Sequence, residues 1–138
     1  MHFTQEPSNP SYFSNGSDAN LVWDYADPQN NIQHIIYSVL LHGKFVRMMV
    51  NDSHGVQEHP NIPPSYKGRV EIQGRATLVI KNINPGDNTE FKCEMRGRFP
   101  GSVKSRVQLV VAGMYFRTKI KSIQLMSLIF LRSGESKQ

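Results

Sequence analysis

The chain has 138 residues, which is enough for one domain with a hydrophobic core and too few for two. Apolar residues make up 38 % of it, and 10 glycines with 8 prolines favour a loop-rich β protein over a helical bundle. Of the net charge of +5, +4 lies in positions 114–138, which hold five basic residues and one acidic residue. A basic segment of this kind does not indicate nucleic-acid binding, which needs basic and aromatic side chains spread over a folded face.

Residues 1–41 predict two strands after a polar entry segment. Residues 1–18 hold two prolines, one possible edge strand at 11–14 and a turn at 15–18. Residues 19–25 alternate and predict a strand with Ala19, Leu21 and Trp23 on one side. Residues 32–41 are apolar, β-branched and aromatic, which predicts a central strand buried on both faces.

The chain after residue 41 predicts a series of shorter strands. They are expected at 45–50, 67–72, 76–80, 91–95 and 103–111. Turns are predicted at 51–55, 74–75, 84–87 and 97–101, and three prolines indicate a loop at 59–65. Turn signals that recur about every 8–12 residues are typical of a β-sandwich.

The segment 77–95 is the most specific in the sequence. An alternating strand runs into the turn Asn-Pro-Gly-Asp at 84–87, and the next strand carries Phe91 and Cys93 two positions apart. This pattern resembles the corner between strands E and F of the immunoglobulin superfamily. The resemblance covers about residues 3–112 and implies an all-β, Greek-key sandwich of two antiparallel sheets. We therefore expect an immunoglobulin-like domain at 1–112 and a separate tail at 113–138.

Two aromatic residues stand where the family has other residue types. Cys93 matches the strand F cysteine, but Trp23 occupies the strand B cysteine position and Tyr37 the position of the strand C tryptophan. The separation of Trp23 and Cys93 (93 − 23 = 70 residues) leaves room for two extra strands, which favours a V-set domain over a constant-type domain. Phe91 has the tyrosine-corner position without the hydroxyl group.

The domain must therefore be held together without the usual disulfide. Loss of a native disulfide costs about 2–5 kcal/mol, and full burial of a tryptophan gains roughly 4–6 kcal/mol before entropy is counted. We expect Trp23 to replace the cross-link by packing against Tyr37 and Cys93. The resemblance also implies a salt bridge between Arg69 and Asp87. The expected core residues are Leu21, Trp23, Tyr37, Leu78, Ile80, Phe91 and Cys93.

The sequence does not indicate an enzyme. Cys93 lies in the middle of a predicted strand with no basic group beside it, so it is expected to be an inert core residue. His34, His42, His54 and His59 are irregularly spaced, which is a weak pattern for zinc, and no catalytic site, metal or cofactor is predicted. Two glycosylation sequons, at Asn15 and Asn51, fall on predicted turns and favour an extracellular location.

A sandwich without catalytic residues is expected to function through its surface. The resemblance implies a cell-surface receptor or adhesion module that binds a protein ligand, or a second copy of itself, through the face formed by strands G, F, C, C′ and C″. No nucleic-acid partner is predicted, and membrane contact is expected only if the native precursor is anchored. The alternative is a structural spacer or a truncated fragment without binding activity. Candidate partner-binding residues are Ile36, Ser38, Leu40, Phe45, Arg47, Met48, Met49, Arg98 and Phe99.

The tail allows three interpretations. Its apolar positions fit neither the helix nor the strand period, so a disordered or loosely docked segment is expected. A basic helix on anionic lipid and a replacement for a receptor's normal continuation are the alternatives. The chain begins without the basic and apolar regions of a secretory signal, and it has no run of apolar residues long enough for a membrane helix.

Overall fold

Residues 1–112 are the part of the chain that the structure, a computed structural model, describes. The expected tail lies outside this part. Eleven β-strands are present in residues 1–112, namely β1 (His2–Gln5), β2 (Ser11–Ser14), β3 (Ala19–Val22), β4 (Asp24–Ala26), β5 (Ile32–Leu41), β6 (Lys44–Asp52), β7 (Gly55–Glu58), β8 (Val70–Gln73), β9 (Thr77–Ile80), β10 (Glu90–Gly97) and β11 (Ser102–Ala112).

The strands form two main sheets that enclose the core. The larger sheet has six strands in the order β2-β11-β10-β5-β6-β7, and the smaller has the order β3-β9-β8. Neighbouring strands are antiparallel except β2, which runs parallel to β11. A short pair of β1 with β4 forms a third, two-stranded sheet. This arrangement confirms the predicted immunoglobulin-like sandwich.

The strands differ from the sequence prediction at several places: β1 was not predicted, and β8 begins at Val70 instead of at 67. The strand predicted at 19–25 is divided at Trp23, because β3 pairs with β9 while β4 pairs with β1. No strand was predicted at the edge strand β7, which begins at Gly55, the last residue of the turn predicted at 51–55. All four residues of β7 are exposed, so no apolar alternation marks the strand in the sequence.

A three-residue 3-10 helix, Pro85–Asp87, connects β9 to β10. The side chain of Asn84 accepts a hydrogen bond from the Gly86 amide, and the Asp87 side chain accepts one from the Asn84 amide. These reciprocal bonds fix the turn that the sequence places there. Within residues 1–112, no helix is long and apolar enough to cross a membrane.

Trp23 lies at the centre of the core, between the two sheets. Its ring centroid is 6.0 Å from that of Tyr37, and Tyr37 stands directly opposite Cys93 across the β5–β10 pair. Burial raises the pKa of the Cys93 thiol to about 12, so the thiol stays protonated and unreactive at neutral pH. At most 1 % of the surface is exposed at Leu21, Trp23, Tyr37, Leu78, Ile80, Phe91 and Cys93.

Polar groups on Trp23 and Tyr37 also connect the sheets. The indole Nε1–H of Trp23 donates to Oγ of Ser105 on β11 at 2.8 Å, and Ser105 donates to Glu6 at 2.6 Å. The hydroxyl of Tyr37 donates to the carbonyl oxygen of Ala76 at 2.9 Å, between β8 and β9. Hydrogen bonds between buried groups therefore supplement the ring packing where the family has a disulfide.

Arg69, just before β8, forms an ion pair with Asp87 in the turn between β9 and β10. Nη2 of Arg69 lies 2.6 Å from Oδ2 of Asp87, whose side chain is only 2 % exposed. Arg69 also donates to three backbone carbonyl groups, those of Ser65, Lys81 and Asn82. The guanidinium group therefore links the chain before β8 to the turn after β9.

Candidate protein-interaction surface

The outward side of the six-stranded sheet is here called the front face. It is built from alternate residues of β11, β10, β5 and β6, and the strand register arranges them in rows. The first row is Arg106, Lys92, Ser38 and Arg47, the second is Lys104, Glu94, Ile36 and Val50, and the third includes Leu40 opposite Phe45.

Ile36 and Ser38 lie on the front face but offer almost no surface to a partner. They are 4 % and 3 % exposed, which contradicts their prediction as contact residues. The reason is their position on the central strand β5. Longer side chains on the neighbouring strands stand beside them, Lys92 and Arg47 on either side of Ser38 and Glu94 beside Ile36.

Met48 and Met49 belong to the core, so their prediction as partner-binding residues is wrong. They are 0 % and 4 % exposed. The register of β5 and β6 shifts between Tyr37 and Ser38, because Met49 pairs with Tyr37 while Arg47 pairs with Ser38. This bulge inserts Met48 as an extra residue and turns both methionines toward the interior.

Three of the predicted contact residues remain accessible to a partner on the front face, namely Leu40, Phe45 and Arg47. Leu40 and Phe45 are half-buried, and Arg47 is exposed. Nζ of Lys92 lies 4.4 Å from the centroid of the Phe45 ring, and Cζ of Arg106 lies 5.1 Å from it. Two cations therefore approach one aromatic ring, which stabilises both by cation–π attraction.

Two carboxylates on β10 have cationic partners. Glu90 lies 2.8 Å from Nη2 of Arg106, and Glu94 lies 2.9 Å from Nε of Arg96. Burial acts to raise the pKa of Glu94, but Arg96 beside it holds that pKa below its usual value. The sequence prediction did not include Lys104 or Arg106, although alternation along β11 is a signal that could have identified them.

The loop between β10 and β11 carries the other two predicted contact residues, Arg98 and Phe99. Phe99 is 66 % exposed. The Arg98 amide donates both to the backbone carbonyl and to the side-chain oxygen of Asn31, at 2.8 and 2.9 Å, and the Arg98 guanidinium donates to the carbonyl of Asn30 at 3.3 Å. The loop base is therefore fixed to the loop between β4 and β5.

That neighbouring loop is itself ordered by Asp27. The backbone amides of Asn31 and Ile32 donate to its carboxylate at 2.9 and 2.8 Å. These two hydrogen bonds lower the pKa of Asp27, and the bond from the Ile32 amide has the larger effect. The loop that holds Arg98 is therefore itself held in place by hydrogen bonds to Asp27.

Gly97 is the residue that permits this close approach of the two loops. A Cβ atom at this position would overlap the side-chain amide of Asn31. We expect Gly97→Ala to displace Asn31, to break the side-chain bond to the Arg98 amide and to cost about 1 kcal/mol of stability. Hydrogen exchange at the Arg98 amide should become faster, with part of its protection kept by the remaining bond to the Asn31 carbonyl.

The variant Asn31→Ala provides the matched test, since it removes the same side-chain acceptor without adding an atom at position 97. Both variants should speed exchange at Arg98 and leave the core amides protected. If Gly97→Ala exchanges like the wild type, the loops are not held together by this contact.

The two sequons differ in accessibility. Asn15 is exposed in the turn after β2. Asn51 does not lie on a turn as predicted, because β6 extends to Asp52, and it is half-buried opposite Ile35. Among residues 1–112, no group of three or more His, Cys, Asp or Glu side chains is arranged to hold a metal ion.

The fold is that of an immunoglobulin V-type domain, which confirms the predicted V-set architecture. Murine CRIg aligns with 80 % of this chain and 98 % of its own, at 16 % identity and a TM-score of 0.63. The first immunoglobulin-like domain of human CD48 aligns with 80 % of this chain and 89 % of its own, at 15 % identity and a TM-score of 0.59.

A third solved structure contains the two tandem V-type regions of VCBP3, a v-region-containing chitin binding protein. It aligns with 80 % of this chain and 45 % of its own, at 16 % identity and a TM-score of 0.63. No protein-family model matches the sequence, and no match was found among curated proteins. Identities this low show a shared fold and nothing more specific.

Proposed function

We propose that the chain is a protein-recognition module of the receptor or adhesion type, which binds a protein partner through the front face and the adjoining Phe99 loop. The observation that carries this proposal is the presentation of Phe99. Its ring is 66 % exposed, while the residue before it is fixed by hydrogen bonds to Asn30 and Asn31. An aromatic side chain on an ordered support loses little entropy on binding, which is the property of an interface anchor.

The surroundings of Phe99 support the same use. Arg98 precedes it, and the loop connects β10 and β11, which carry the charged residues of the front face. Aromatic residues and arginine are enriched in protein interfaces, and a charged rim is typical of them. An extracellular or cell-surface location fits this role, and the exposed sequon at Asn15 is compatible with it.

We expect Phe99→Ala to weaken partner binding by about thirtyfold, as loss of an interface anchor usually does. The melting temperature should stay unchanged, because the ring is mostly in solvent. The measurement is a screen of the multimerised chain against arrayed cell-surface ectodomains, followed by surface plasmon resonance with each bound ectodomain.

The control is Tyr12→Ala on β2, since Tyr12 is 67 % exposed and also aromatic. Binding should survive this change. Equal losses for both variants would indicate a non-specific effect of surface aromatic residues. A chain that binds no ectodomain even as a multimer would favour the alternative function, a spacer or fragment without binding activity.

A further inference from the structure

One row of the front face brings cations together without a carboxylate among them. Lys92 on β10 stands directly opposite Arg106 on β11 and, on its other side, opposite Ser38 on β5. Arg47 on β6 stands opposite Ser38 from the far side. The row therefore contains three cations and one hydroxyl group across four strands, and it is here called the cation row.

Like charges directly opposite each other in a sheet lower its stability. Arg106 is partly compensated by Glu90 at 2.8 Å, and Lys92 by the Phe45 ring. Within residues 1–112, no carboxylate oxygen lies within 4.0 Å of the charged nitrogen atoms of Lys92 or Arg47, so neither side chain forms an ion pair there. An anion supplied from outside would add the missing counter-charge.

We infer that the front face recognises an acidic protein surface and that Lys92 and Arg47 receive its carboxylates. This inference rests on the proposed function and adds the chemistry of the partner. Phe45 and Leu40 lie in the adjacent row and are half-buried, so an apolar contact lies beside the charges. Apolar centres next to complementary charges are the composition of protein interfaces.

Two other kinds of partner fit the charges of the front face less well than an acidic protein surface does. A second copy of the chain that packed row against row would place Lys92 and Arg47 against cations of the same kind. A uniform polyanion such as a sulfated polysaccharide would meet Glu90 and Glu94, which lie on β10 on either side of Lys92. A protein surface can place its own donors opposite those two carboxylates and its carboxylates opposite the cations.

The test uses a tetrapeptide with three carboxylates around one phenylalanine, and a matched peptide with amides in place of the carboxylates. Each is titrated into the isotope-labelled full chain and followed by NMR. The acidic peptide should give saturable shifts centred on Ser38, Arg47 and Lys92, and its affinity should fall as salt is added. The amide peptide should give none.

The variants Lys92→Glu and Arg47→Glu should each weaken binding of the acidic peptide by about tenfold. We expect the melting temperature of Lys92→Glu to stay close to the wild-type value, since the attraction to Arg106 offsets the lost contact with the Phe45 ring and the repulsion from Glu90 and Glu94. The control is Lys67→Glu, an exposed lysine just before β8 of the other sheet, which should change neither quantity.

Equal binding of the amide peptide would overturn the inference, as would the absence of saturable shifts. Binding of a heparin tetrasaccharide at the cation row, without binding of the peptide, would identify a polyanion site instead. If an ectodomain binds through Phe99 but its affinity depends neither on salt nor on Lys92 and Arg47, the proposed function stands and this inference is wrong. Concentration-dependent dimerisation of the chain, lost on Leu40→Asp, would show that a second copy occupies the front face and would overturn the inference.

Discussion

Replacement of Trp23 by alanine should lower the free energy of unfolding by about 3–5 kcal/mol, which is a large part of the 5–15 kcal/mol typical of a domain. Trp23 is 1 % exposed and packs against Tyr37 between the sheets. Its removal would leave a cavity where no disulfide is present to keep the layers together. The buried hydroxyl of Ser105 would also lose its indole donor.

The variant Trp23→Phe separates packing from hydrogen bonding. It keeps an aromatic ring against Tyr37 and removes the Nε1–H that donates to Ser105. We expect it to cost about 1–3 kcal/mol, because a buried acceptor loses its donor and the smaller ring leaves some space. The alanine variant should be distinctly less stable than the phenylalanine variant.

Urea unfolding followed by far-ultraviolet circular dichroism is the appropriate measurement, since Trp23 is the only tryptophan and its variants lose the fluorescence signal. A free energy of unfolding for Trp23→Ala within about 1 kcal/mol of the wild-type value would contradict this prediction, because changes that small are typical of surface residues. The sheets would then be held by the remaining core, without a special contribution from the indole.

The fold could be predicted because its signals are local. Alternation assigns each strand residue to one face, and the turn at 84–87 leads directly to Phe91 and Cys93. Such patterns need no knowledge of which strands are neighbours. They indicated a sandwich, and the resemblance of residues 77–95 to the immunoglobulin superfamily implied the V-type architecture, which the solved structures with the same fold confirm.

The candidate site was harder to predict because it depends on register. Alternation along β6 suggests that one of Met48 and Met49 faces outward, yet the bulge opposite Tyr37 turns both inward. A bulge leaves no mark in a run of apolar residues. The cation row likewise exists only because Lys92 is opposite Arg106 and Ser38, and pairing partners across three strands cannot be read from one strand.

The partners of Trp23 illustrate the same limit within the core. Ser105 is 82 residues from Trp23 in sequence, and Glu6 is 99 residues from Ser105. A serine on the inward side of β11 is an isolated polar residue in an apolar pattern, which indicates a buried hydrogen bond without naming its donor. Only the three-dimensional structure assigns that donor to the indole.

Removal of the buried charge of Asp87 should destabilise the domain about as much as loss of Trp23. We expect Asp87→Asn to cost about 3–5 kcal/mol, because it leaves Arg69 without its anionic partner in a confined site. The Asp87 carboxylate accepts from both terminal nitrogens of Arg69, at 2.6 and 3.4 Å, and from the Asn84 amide at 2.9 Å. An amide cannot accept at both of its terminal atoms.

The reciprocal change, Arg69→Met, tests the same pair from the cationic side. It leaves the carboxylate, only 2 % exposed, without its counter-charge, and it removes the donors to the carbonyl groups of Ser65, Lys81 and Asn82. The double variant should cost less than the sum of the two single changes, because the first change already breaks the interaction. Additive losses would show that the two residues act independently.

The exposed pair of Lys81 and Glu71 is the matched control for this prediction. Its charged atoms are 3.2 Å apart, and the two side chains are 48 % and 40 % exposed. Glu71→Gln should therefore change the stability far less than Asp87→Asn, since water and salt screen the pair. Urea titrations of all four variants, the two single changes, the double variant and Glu71→Gln, at the same ionic strength make the comparison. A large loss at Glu71 together with a small one at Asp87 would contradict the view that burial, more than distance, decides the contribution of these ion pairs.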